Sequence, residues 1–297
     1  MPSSSPLNIA VVGVGSIGST FGFQLARTGG HDVTVVARPG SSRLQQLRRD
    51  GGIVDVKGKR AGVRVADALA EQTPYDLVIV TLLAHQVDTV LPALQRSAAK
   101  CIQFMFNTFE PERLRDAVGP ERCSFGMPFV QAHLDDDGKL KATIGAMGQK
   151  TLMGQPRWVD LFNEAGLPAA LEQQITLWLR CHVPLCVAFE SVSVAGQRRG
   201  GGASWGEAVT LARGVQESFA LIKGLGHPIY PRTKARLSGC PAWVLASMLW
   251  FMSRIRSFRE LLATGENECR ALVDGMLAAA PRSKPPVRPS NIEAMRP

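Results

Sequence analysis

A glycine-rich segment between an apolar run and a helical pattern is the feature that most constrains how this chain can fold. Residues 7–12 are apolar and rich in β-branched side chains, as is typical of a buried parallel strand. The sequence GVGSIG follows at residues 13–18, and residues 16–28 have the apolar spacing of a helix. A second β-branched run, residues 32–37, comes next. This order predicts a βαβ unit with a right-handed crossover.

The same alternation continues through the first half of the chain. Residues 41–50 and 87–98 favour helices, whereas residues 76–82 and 101–106 favour buried strands. After about residue 170 the pattern changes to long helical segments alone, at residues 171–193, 205–225, 240–263 and 266–280. The sequence therefore predicts an α/β Rossmann-type parallel-sheet domain followed by an all-α helical domain.

Three regions follow from this change of pattern. We predict that residues 1–171 form a nucleotide-binding α/β domain and that residues 172–280 form a helical domain for substrate and dimerisation. Residues 281–297 contain five prolines and few large apolar side chains. We therefore expect this last segment to be a poorly ordered tail.

Each glycine of the GVGSIG segment has its own physical role. Gly13 permits the tight turn, Gly15 lets the backbone approach a pyrophosphate, and Gly18 allows close packing of helix on strand. The start of the helix also offers the backbone N–H groups of Ser16 and Ile17, and the positive end of its dipole, to a phosphate. These five residues are therefore predicted to bind a dinucleotide. The alternative is a glycine-rich turn without a ligand.

The residue at the end of the second predicted strand distinguishes NADH from NADPH. A carboxylate at this position binds the ribose 2′-hydroxyl of NADH and repels a 2′-phosphate. This chain has Arg38 there, with Arg43 shortly after, and a guanidinium pairs well with phosphate. We therefore predict that Arg38 binds NADPH; the alternative is a solvated loop residue.

Charge and composition restrict the class of partner. The net charge is +9, and most of the excess lies in residues 171–297. This favours a small anionic substrate or cofactor. Basic residues are not interleaved with aromatic ones and no zinc-finger spacing is present, so we expect no nucleic-acid partner and no metal site. The apolar helices make a homodimer plausible.

The sequence also predicts the cellular compartment. The longest apolar stretch, residues 243–252, is about half of the ~20 residues that a membrane span needs. Residues 1–6 lack the basic start of a secretory signal. The six cysteines form no C-x-x-C pair, which favours buried or free thiols. We therefore expect a cytoplasmic protein without a membrane partner.

Over most of residues 7–280 the chain resembles the ketopantoate reductases (2-dehydropantoate 2-reductases). The first part of this resemblance lies in GVGSIG at residues 13–18, VAR at residues 36–38 and residues 44–52. It continues in VTLLAHQ at residues 80–86, Asn107, Leu114, LW at residues 177–178 and residues 257–275.

The resemblance implies a two-domain enzyme. A Rossmann domain would bind NADPH, and a helical domain would close over it, with the substrate in the cleft. Family members reduce a 2-oxo acid to a 2-hydroxy acid. A lysine on the first long helix of the helical domain donates the proton, and asparagines, a serine and a glutamate position the substrate.

Several positions of this chain match the family pattern. The asparagine that follows the fifth strand falls on Asn107, and the substrate-binding serine falls on Ser257. The glutamate falls on Cys269, but an alignment slip of one residue restores it at Glu268.

Other positions depart from the pattern. The catalytic lysine falls on Arg180, and the lysine of the V-T-L-K segment falls on Leu83. Two family asparagines fall on Pro184 and Ala188. Arginine keeps its proton in proteins, so it is a poor general acid, although it binds carboxylates well. We therefore expect Arg180 to hold substrate charge, and we leave the proton donor open between His85 and water.

The sequence thus predicts an NADPH-dependent reductase that transfers a hydride to the carbonyl of a small anionic 2-oxo acid. Asn107, Arg180, Ser257 and Glu268 are the predicted catalytic residues. One alternative is a reductase of a different oxo acid or of an imine, and another is a non-catalytic NADPH sensor. Residues 197–205, QRRGGGASW, are either an anion-binding loop or a flexible surface loop.

Overall fold

The computed structural model describes residues 5–262 and 265–297, and the chain divides into two compact units. The first unit contains the chain up to Phe106 together with residues 112–175, and the second contains Asn107–Pro111 together with Thr176–Pro297. Residues 1–4 of the predicted first domain and residue 263, the end of a predicted helix, lie outside the described residues.

The first unit is built from alternating strands and helices. Its strands are β1 (Asn8–Val12), β2 (Asp32–Val36), β3 (Ile53–Val54), β4 (Arg60–Ala61), β5 (Arg64–Ala66), β6 (Leu77–Val80), β7 (Ile102–Met105), β8 (Cys123–Met127), β9 (Val130–Leu134), β10 (Leu140–Ile144), β11 (Thr151–Met153) and β12 (Ala169–Leu171). Its helices are α1 (Ser16–Arg27), α2 (Ser42–Asp50), α3 (Leu91–Arg96), α4 (Pro111–Val118) and α5 (Pro156–Glu164), with 3-10 turns at Val87–Thr89 and Ala146–Gly148.

The main sheet of this unit has eight strands in the order β12-β11-β8-β7-β6-β1-β2-β5. Its neighbouring strands run parallel except for the antiparallel pair β8–β11. The strand order reverses at β1, because β2 lies on one side of it and β6 on the other. Ligands of such sheets bind outside the carboxyl ends of the strands at this switch point.

The strand register brings the predicted cofactor residues to one edge of the sheet. Val12 at the end of β1 pairs with Val36 of β2 and with Val80 of β6, and Val80 pairs with Phe104 of β7. These carboxyl ends are therefore level with one another. The glycine turn, Arg38 and Thr81 all follow directly at this edge.

The predicted βαβ unit and the α/β class of the first unit are confirmed. Strands β1 and β2 and helix α1 lie within a residue or two of their expected bounds. Predicted helix 87–98 is instead a 3-10 turn followed by the short helix α3, which has proline in its first turn.

The second unit is helical, as expected. Its helices are α6 (Ile175–Arg198), α7 (Trp205–Gly224), α8 (Arg232–Ser238), α9 (Ala242–Met252), α10 (Arg256–Leu262), α11 (Glu266–Ala279) and α12 (Pro289–Glu293), with a 3-10 turn at Ala280–Arg282. The buried side chains that form its interior include Leu179, Val187, Phe219, Leu249, Leu272 and Met276.

The predicted helix over residues 240–263 is divided into α9 and α10. The break lies at Ser253, whose hydroxyl donates to Trp250 O at 2.7 Å and accepts from Ala203 N at 3.0 Å. Nearby, Arg254 Nη1 donates to Trp250 O at 2.8 Å. Contacts with the loop that precedes α7 therefore end α9, and the helical pattern of the sequence does not show them.

The last segment differs from the expected poorly ordered tail. Its helix α12 packs against α7 and α11, and Ile292 and Met295 are fully buried. A Cβ atom at Gly214 of α7 would lie 2.2 Å from Met295 Cγ, so a glycine there makes room for the tail. Ser191 Oγ also donates to Met295 O at 2.7 Å. Burial of Ile292 and Met295 and the hydrogen bond from Ser191 hold this proline-rich segment in place, and its helix can form because proline is tolerated in a first helical turn.

Helix α6 is long and apolar enough to cross a membrane by length and composition, although no membrane span was expected from the sequence. Within the protein, 72% of its most apolar window is buried. The helix continues through Pro184. This degree of burial is typical of the core helix of a folded unit.

The packing of the last helix gives a testable prediction. Ile292→Ala should lower the free energy of unfolding by about 2–5 kcal/mol, because it leaves a cavity at a fully buried position. Urea denaturation followed by circular dichroism measures this. The matched control is Ser290→Ala at an exposed position of the same helix, which should change stability by less than about 0.5 kcal/mol. Equal stability of the two variants would contradict the packing of α12.

Candidate active site

The turn after β1 has the backbone geometry that its first and third glycines were expected to provide. Gly13 has φ +93°, a left-handed conformation that side chains disfavour. A Cβ atom at Gly18 would lie 1.9 Å from Gly13 O and 2.5 Å from Thr81 Oγ1. Helix α1 can therefore approach the turn only because residue 18 is glycine.

The second glycine of the motif stands in open space. A Cβ atom at Gly15 would have no described heavy atom within 4 Å. Gly15 is also the N-cap of α1, and it makes no side-chain capping hydrogen bond. The first turn of α1 contains no acidic residue. The amino terminus of this helix thus has the free N–H groups and the positive dipole end that bind phosphate.

The two arginines after β2 have different environments. Arg38 is exposed, and its guanidinium makes no hydrogen bond or ion pair within the described residues. Arg43 instead donates to Val14 O at 3.0 Å, to Ser19 Oγ at 2.6 Å and to Gly138 O at 2.7 Å. Burial lowers the pKa of Arg43 to about 10. Arg43 therefore braces the glycine turn, whereas Arg38 is available to a ligand.

The end of β6 lies beside the glycine turn. Thr81 Oγ1 donates to Gly13 O at 2.6 Å, which ties the ends of β1 and β6 together. Leu83, which the sequence resemblance aligns with a lysine, is 39% exposed. His85 is also exposed. The segment therefore presents one titratable side chain, His85, between residues 81 and 86.

Asn107 and Glu268, two of the predicted catalytic residues, are brought together. Asn107 is the second residue after β7 and belongs to the helical unit. Its Nδ2 lies 3.4 Å from Glu268 Oε1 and 3.3 Å from Cys186 Sγ, and it donates to both. Its Oδ1 is buried and has no hydrogen-bond partner within the described residues. Glu268, the glutamate that the one-residue alignment slip restores, therefore lies beside Asn107, and its catalytic role stays a prediction.

A second carboxyl group lies in the same place. Glu190 of α6 is 8% exposed, and both of its oxygens accept hydrogen bonds from thiols. Cys186 Sγ donates to Oε1 at 3.2 Å, and Cys269 Sγ donates to Oε2 at 3.0 Å. We call Asn107, Cys186, Glu190, Glu268 and Cys269 the carboxyl–thiol cluster.

The pKa values of the carboxyl and thiol groups in this cluster are all raised. Burial, and then the charge of Glu190, raise the pKa of Glu268 to about 7, against a smaller lowering by Asn107. Burial also raises the pKa of Glu190 and holds the pKa of Cys186 well above its usual range. Both thiols therefore keep their protons at neutral pH, and Glu268 titrates there.

Arg180 is buried instead of being presented to a ligand. It is 5% exposed, its Nε donates to Phe109 O at 3.0 Å, and its Nη1 lies 3.0 Å from His227 Nε2. Glu110, the residue after Phe109, forms an ion pair with Arg282. Arg180 therefore fixes the backbone two residues beyond Asn107, and its predicted contact with substrate charge stays a prediction.

The remaining predicted elements make no hydrogen bond with the carboxyl–thiol cluster within the described residues. Ser257 is exposed on α10 and makes no hydrogen bond within the described residues. In the QRRGGGASW segment, Arg198 ends α6 and pairs with Glu266 at 3.0 Å, and Arg199 pairs with Glu207 at 2.9 Å. Both arginines thus have carboxylate partners, which favours the reading of a surface loop over that of an anion site.

Sequence reasoning missed two groups of this site. Glu190 and the bracing role of Arg43 belong to no motif. The signal that was present is a glutamate one helical turn after Cys186 in a mostly apolar helix, since a buried carboxyl group there needs donors. Among the described residues no group of histidines, cysteines and carboxylates has the geometry to hold a metal ion.

The family model for ketopantoate reductase PanE/ApbA matches residues 9–157. Members of this family are oxidoreductases that act on keto and hydroxyl groups. Their architecture is a Rossmann-like α/β unit followed by a helical unit, as in this chain. The chain belongs to the ketopantoate reductase PanE/ApbA family, as the sequence resemblance predicted. No curated protein sequence matches the chain.

Solved structures share the fold over nearly the whole chain. A PanE/ApbA family ketopantoate reductase from Ralstonia eutropha JMP134 is 17% identical, with 97% of this chain and 95% of that chain covered and a TM-score of 0.73. The 2-dehydropantoate 2-reductase from Porphyromonas gingivalis W83 is 16% identical, with 98% of each chain covered and a TM-score of 0.66. D-mandelate dehydrogenase, in complex with NADH, is 17% identical, with 98% of this chain and 96% of that chain covered and a TM-score of 0.70. These likenesses show the fold.

The raised pKa of Glu268 gives a prediction about stability. Its folded-state pKa of about 7 lies above the ordinary value of 4.5, so the folded chain binds more protons than the unfolded chain between these pH values. The free energy of unfolding should therefore fall as pH rises from about 4.5 to 7, on the order of 2 kcal/mol more in the wild type than in Glu268→Gln.

Urea denaturation at pH 5 and pH 8 measures this difference. Glu266→Gln is the matched control, because Glu266 lies in the same helical turn and pairs with Arg198 and Arg270 at the surface. This control should keep the pH dependence of the wild type. A Glu268→Gln protein with unchanged pH dependence would show that Glu268 has an ordinary pKa.

Proposed function

We propose that this protein is an NADPH-dependent oxidoreductase that transfers a hydride to the carbonyl of a small anionic 2-oxo acid. The observation that carries the proposal is the glycine turn at the switch point of the sheet, in a chain of the ketopantoate reductase family. The polar pair Asn107–Glu268, which begins two residues after β7, supports the same reading.

The residues present at the turn fit a dinucleotide. The open position of Gly15 leaves room for a pyrophosphate to approach the backbone, and a side chain there would fill it. The backbone N–H groups of Ser16 and Ile17 at the start of α1 would hold the phosphates. Gly13, whose N–H donates to Val36 O at 3.1 Å, and Gly18 would instead shape the turn. When bound, the reduced nicotinamide supplies the hydride.

The preference for NADPH is supported by Arg38. Its exposed guanidinium has no protein partner among the described residues, so it is available to a 2′-phosphate. A carboxylate would stand in its place in an NADH-binding protein of this type. Arg43 acts on either cofactor alike, because it braces the turn through Val14 O.

The substrate would meet polar groups of the helical unit. Asn107 Oδ1 is a buried acceptor whose hydrogen bond a bound molecule would supply, since nothing described satisfies it. Glu268 would orient a polar group of the substrate beside it. Ser257 and Arg180 remain proposed contributors, and Arg180 is supported as a residue that positions the Asn107 segment.

A second candidate is an NADPH-binding sensor without catalysis. The observation that favours it is the state of the two family lysine positions. Leu83 has no proton to give, and Arg180 is buried against Phe109 O and His227. A different oxo acid or an imine as substrate explains the same departures within the enzyme class.

The proposal includes a cytoplasmic location and self-association. All six cysteines are free thiols, which supports a reducing compartment. Helix α9 exposes Trp243 and Phe251, at 65% and 62%, and an exposed apolar patch supports contact with a second copy of the chain.

Cofactor binding and turnover together test the proposal. We expect NADPH to bind the purified protein and to be oxidised with saturable kinetics on a panel of 2-oxo acids that begins with ketopantoate, followed by imines. Fluorescence titration measures binding, and the absorbance of NADPH measures turnover. Binding without turnover on the panel would favour the sensor, and a folded protein that binds neither NADPH nor NADH would refute both.

The role of Arg38 gives a separate prediction. Arg38→Ala should weaken NADPH binding by roughly 10- to 100-fold, because a charge-assisted contact with the 2′-phosphate is lost. NADH binding should stay within about twofold, since NADH lacks that phosphate. Arg60→Ala, at another exposed arginine of the same unit, should leave both affinities unchanged. If Arg38→Ala weakened the binding of NADPH and NADH equally, Arg38 would not be the residue that sets the preference for NADPH.

A further inference from the structure

The carboxyl–thiol cluster places a protonatable group beside Asn107, in a chain that lacks the family lysine. We infer that Glu268 is the proton donor to the substrate's carbonyl oxygen, and that Glu190 with its two thiols is the positioning element that keeps Glu268 protonated. This inference rests on the proposed reductase function and names the acid that the reaction needs.

The other groups of the helical unit are poor donors, and His85 of the α/β unit stays the alternative that the Glu268→Gln variant tests. Leu83 has no acidic proton, and the Asn107 amide does not release one at neutral pH. Arg180 is 5% exposed and is committed to the Phe109 carbonyl. Ser257 lies exposed on α10 without a base as hydrogen-bond partner among the described residues. Glu268 is the carboxyl group that contacts Asn107 directly.

Hydrogen bonding assigns different tasks to the two oxygens of Glu268. Oε1 accepts from Asn107 Nδ2 at 3.4 Å, so the amide fixes the carboxyl group. Oε2 makes no hydrogen bond within the described residues. A proton on Oε2 is therefore directed to whatever polar group lies beside it, as a general acid requires.

In this assignment Glu190 carries the negative charge of the pair, although burial raises its own pKa. Two thiols donate to its two oxygens, and hydrogen bonds of this kind favour a carboxylate. A Cβ atom at Gly265, the N-cap of α11, would lie 2.0 Å from Glu190 Oε2, so the carboxylate approaches the helix start closely. The positive end of that helix dipole stabilises the charge on Glu190.

A charged Glu190 makes a second charge nearby unfavourable. The titratable groups that face Glu268 are Cys186 and Glu190 on α6 and Cys269 on its own helix. No cationic side chain of the described residues forms an ion pair with Glu268. With burial added, its pKa rises to about 7, the range in which a general acid works best near neutral pH.

The proton transfer balances with the reduction. A bound reduced nicotinamide would supply the hydride to the carbonyl carbon, and the electron pair of the C=O π bond would move to the oxygen. The O–H bond of Glu268 breaks as a new O–H bond forms on that oxygen. The products are the 2-hydroxy acid and the Glu268 carboxylate, which water reprotonates before the next turnover.

Three variants test this assignment in the full-length protein. Glu268→Gln keeps the shape and removes the proton, Glu190→Gln removes the neighbouring charge, and Glu266→Gln is the matched control at the surface of the same turn. Circular dichroism and NADPH titration first establish that each variant is folded and binds cofactor. The pH dependence of kcat/KM and carbon-13 NMR of glutamate-labelled protein are then measured.

We expect Glu268→Gln to reduce kcat by about 10²–10⁴-fold, the usual contribution of a general acid. The wild type should lose activity as pH rises above about 7, because the carboxyl group must be protonated. Glu190→Gln should move this limb to lower pH by a unit or more, and Glu266→Gln should match the wild type. In the NMR spectra, the carboxyl resonance absent from Glu268→Gln should titrate near 7, and Glu190→Gln should lower that midpoint.

Two outcomes would overturn the assignment. One is a Glu268→Gln protein that binds NADPH and keeps more than a tenth of the wild-type kcat. The other is a Glu268 resonance that titrates near 4.5, which decides the question even if no substrate on the panel is turned over. If the wild type did not bind the cofactor at all, the proposed function itself would be refuted. The failure of the proposed function and the failure of the Glu268 assignment are therefore distinguishable.

Discussion

The close approach of α1 to the turn after β1 is the contact on which the α/β unit depends. It exists because residue 18 has no Cβ atom, which would otherwise lie 1.9 Å from Gly13 O. The same carbonyl accepts from Thr81 Oγ1, so the end of β6 is held to the same point. Arg43 adds a third support through Val14 O. With the turn fixed from three sides, the helix start at Gly15 faces open space in a defined direction.

The family model matches residues 9–157, and the two units differ in how closely they follow the pattern that the sequence resemblance suggests. The glycine turn keeps the geometry that a dinucleotide needs. The sequence resemblance aligns Arg180 with a lysine, and in the structure this arginine binds the Phe109 carbonyl. A lysine ammonium can lose its proton when buried, whereas a guanidinium does not, so an arginine at this position provides backbone support and no acid–base chemistry. The carboxyl–thiol cluster is where titratable groups are concentrated instead.

The sequence predicted those features that depend on neighbouring residues in the chain. The order of β1, α1 and β2, the turn glycines and the exposed Arg38 follow from local spacing, and family resemblance added Asn107 and Glu268. Glu190 was missed because its partners, Cys186 excepted, are distant in sequence. The order of the last segment was missed because it depends on Ile292 and Met295 fitting beside Gly214. Long-range packing of this kind leaves no periodic signal.

The segment Asn107–Pro111 belongs to the helical unit although the chain on both sides of it belongs to the α/β unit. Arg180 holds the Phe109 carbonyl and Arg282 pairs with Glu110, so residues from distant parts of the chain anchor these five positions. Neither unit is therefore a continuous stretch of sequence. A gene fragment cut near residue 175 would encode a helical unit without its own central segment, and exchange of helical units between relatives would have to carry two pieces at once.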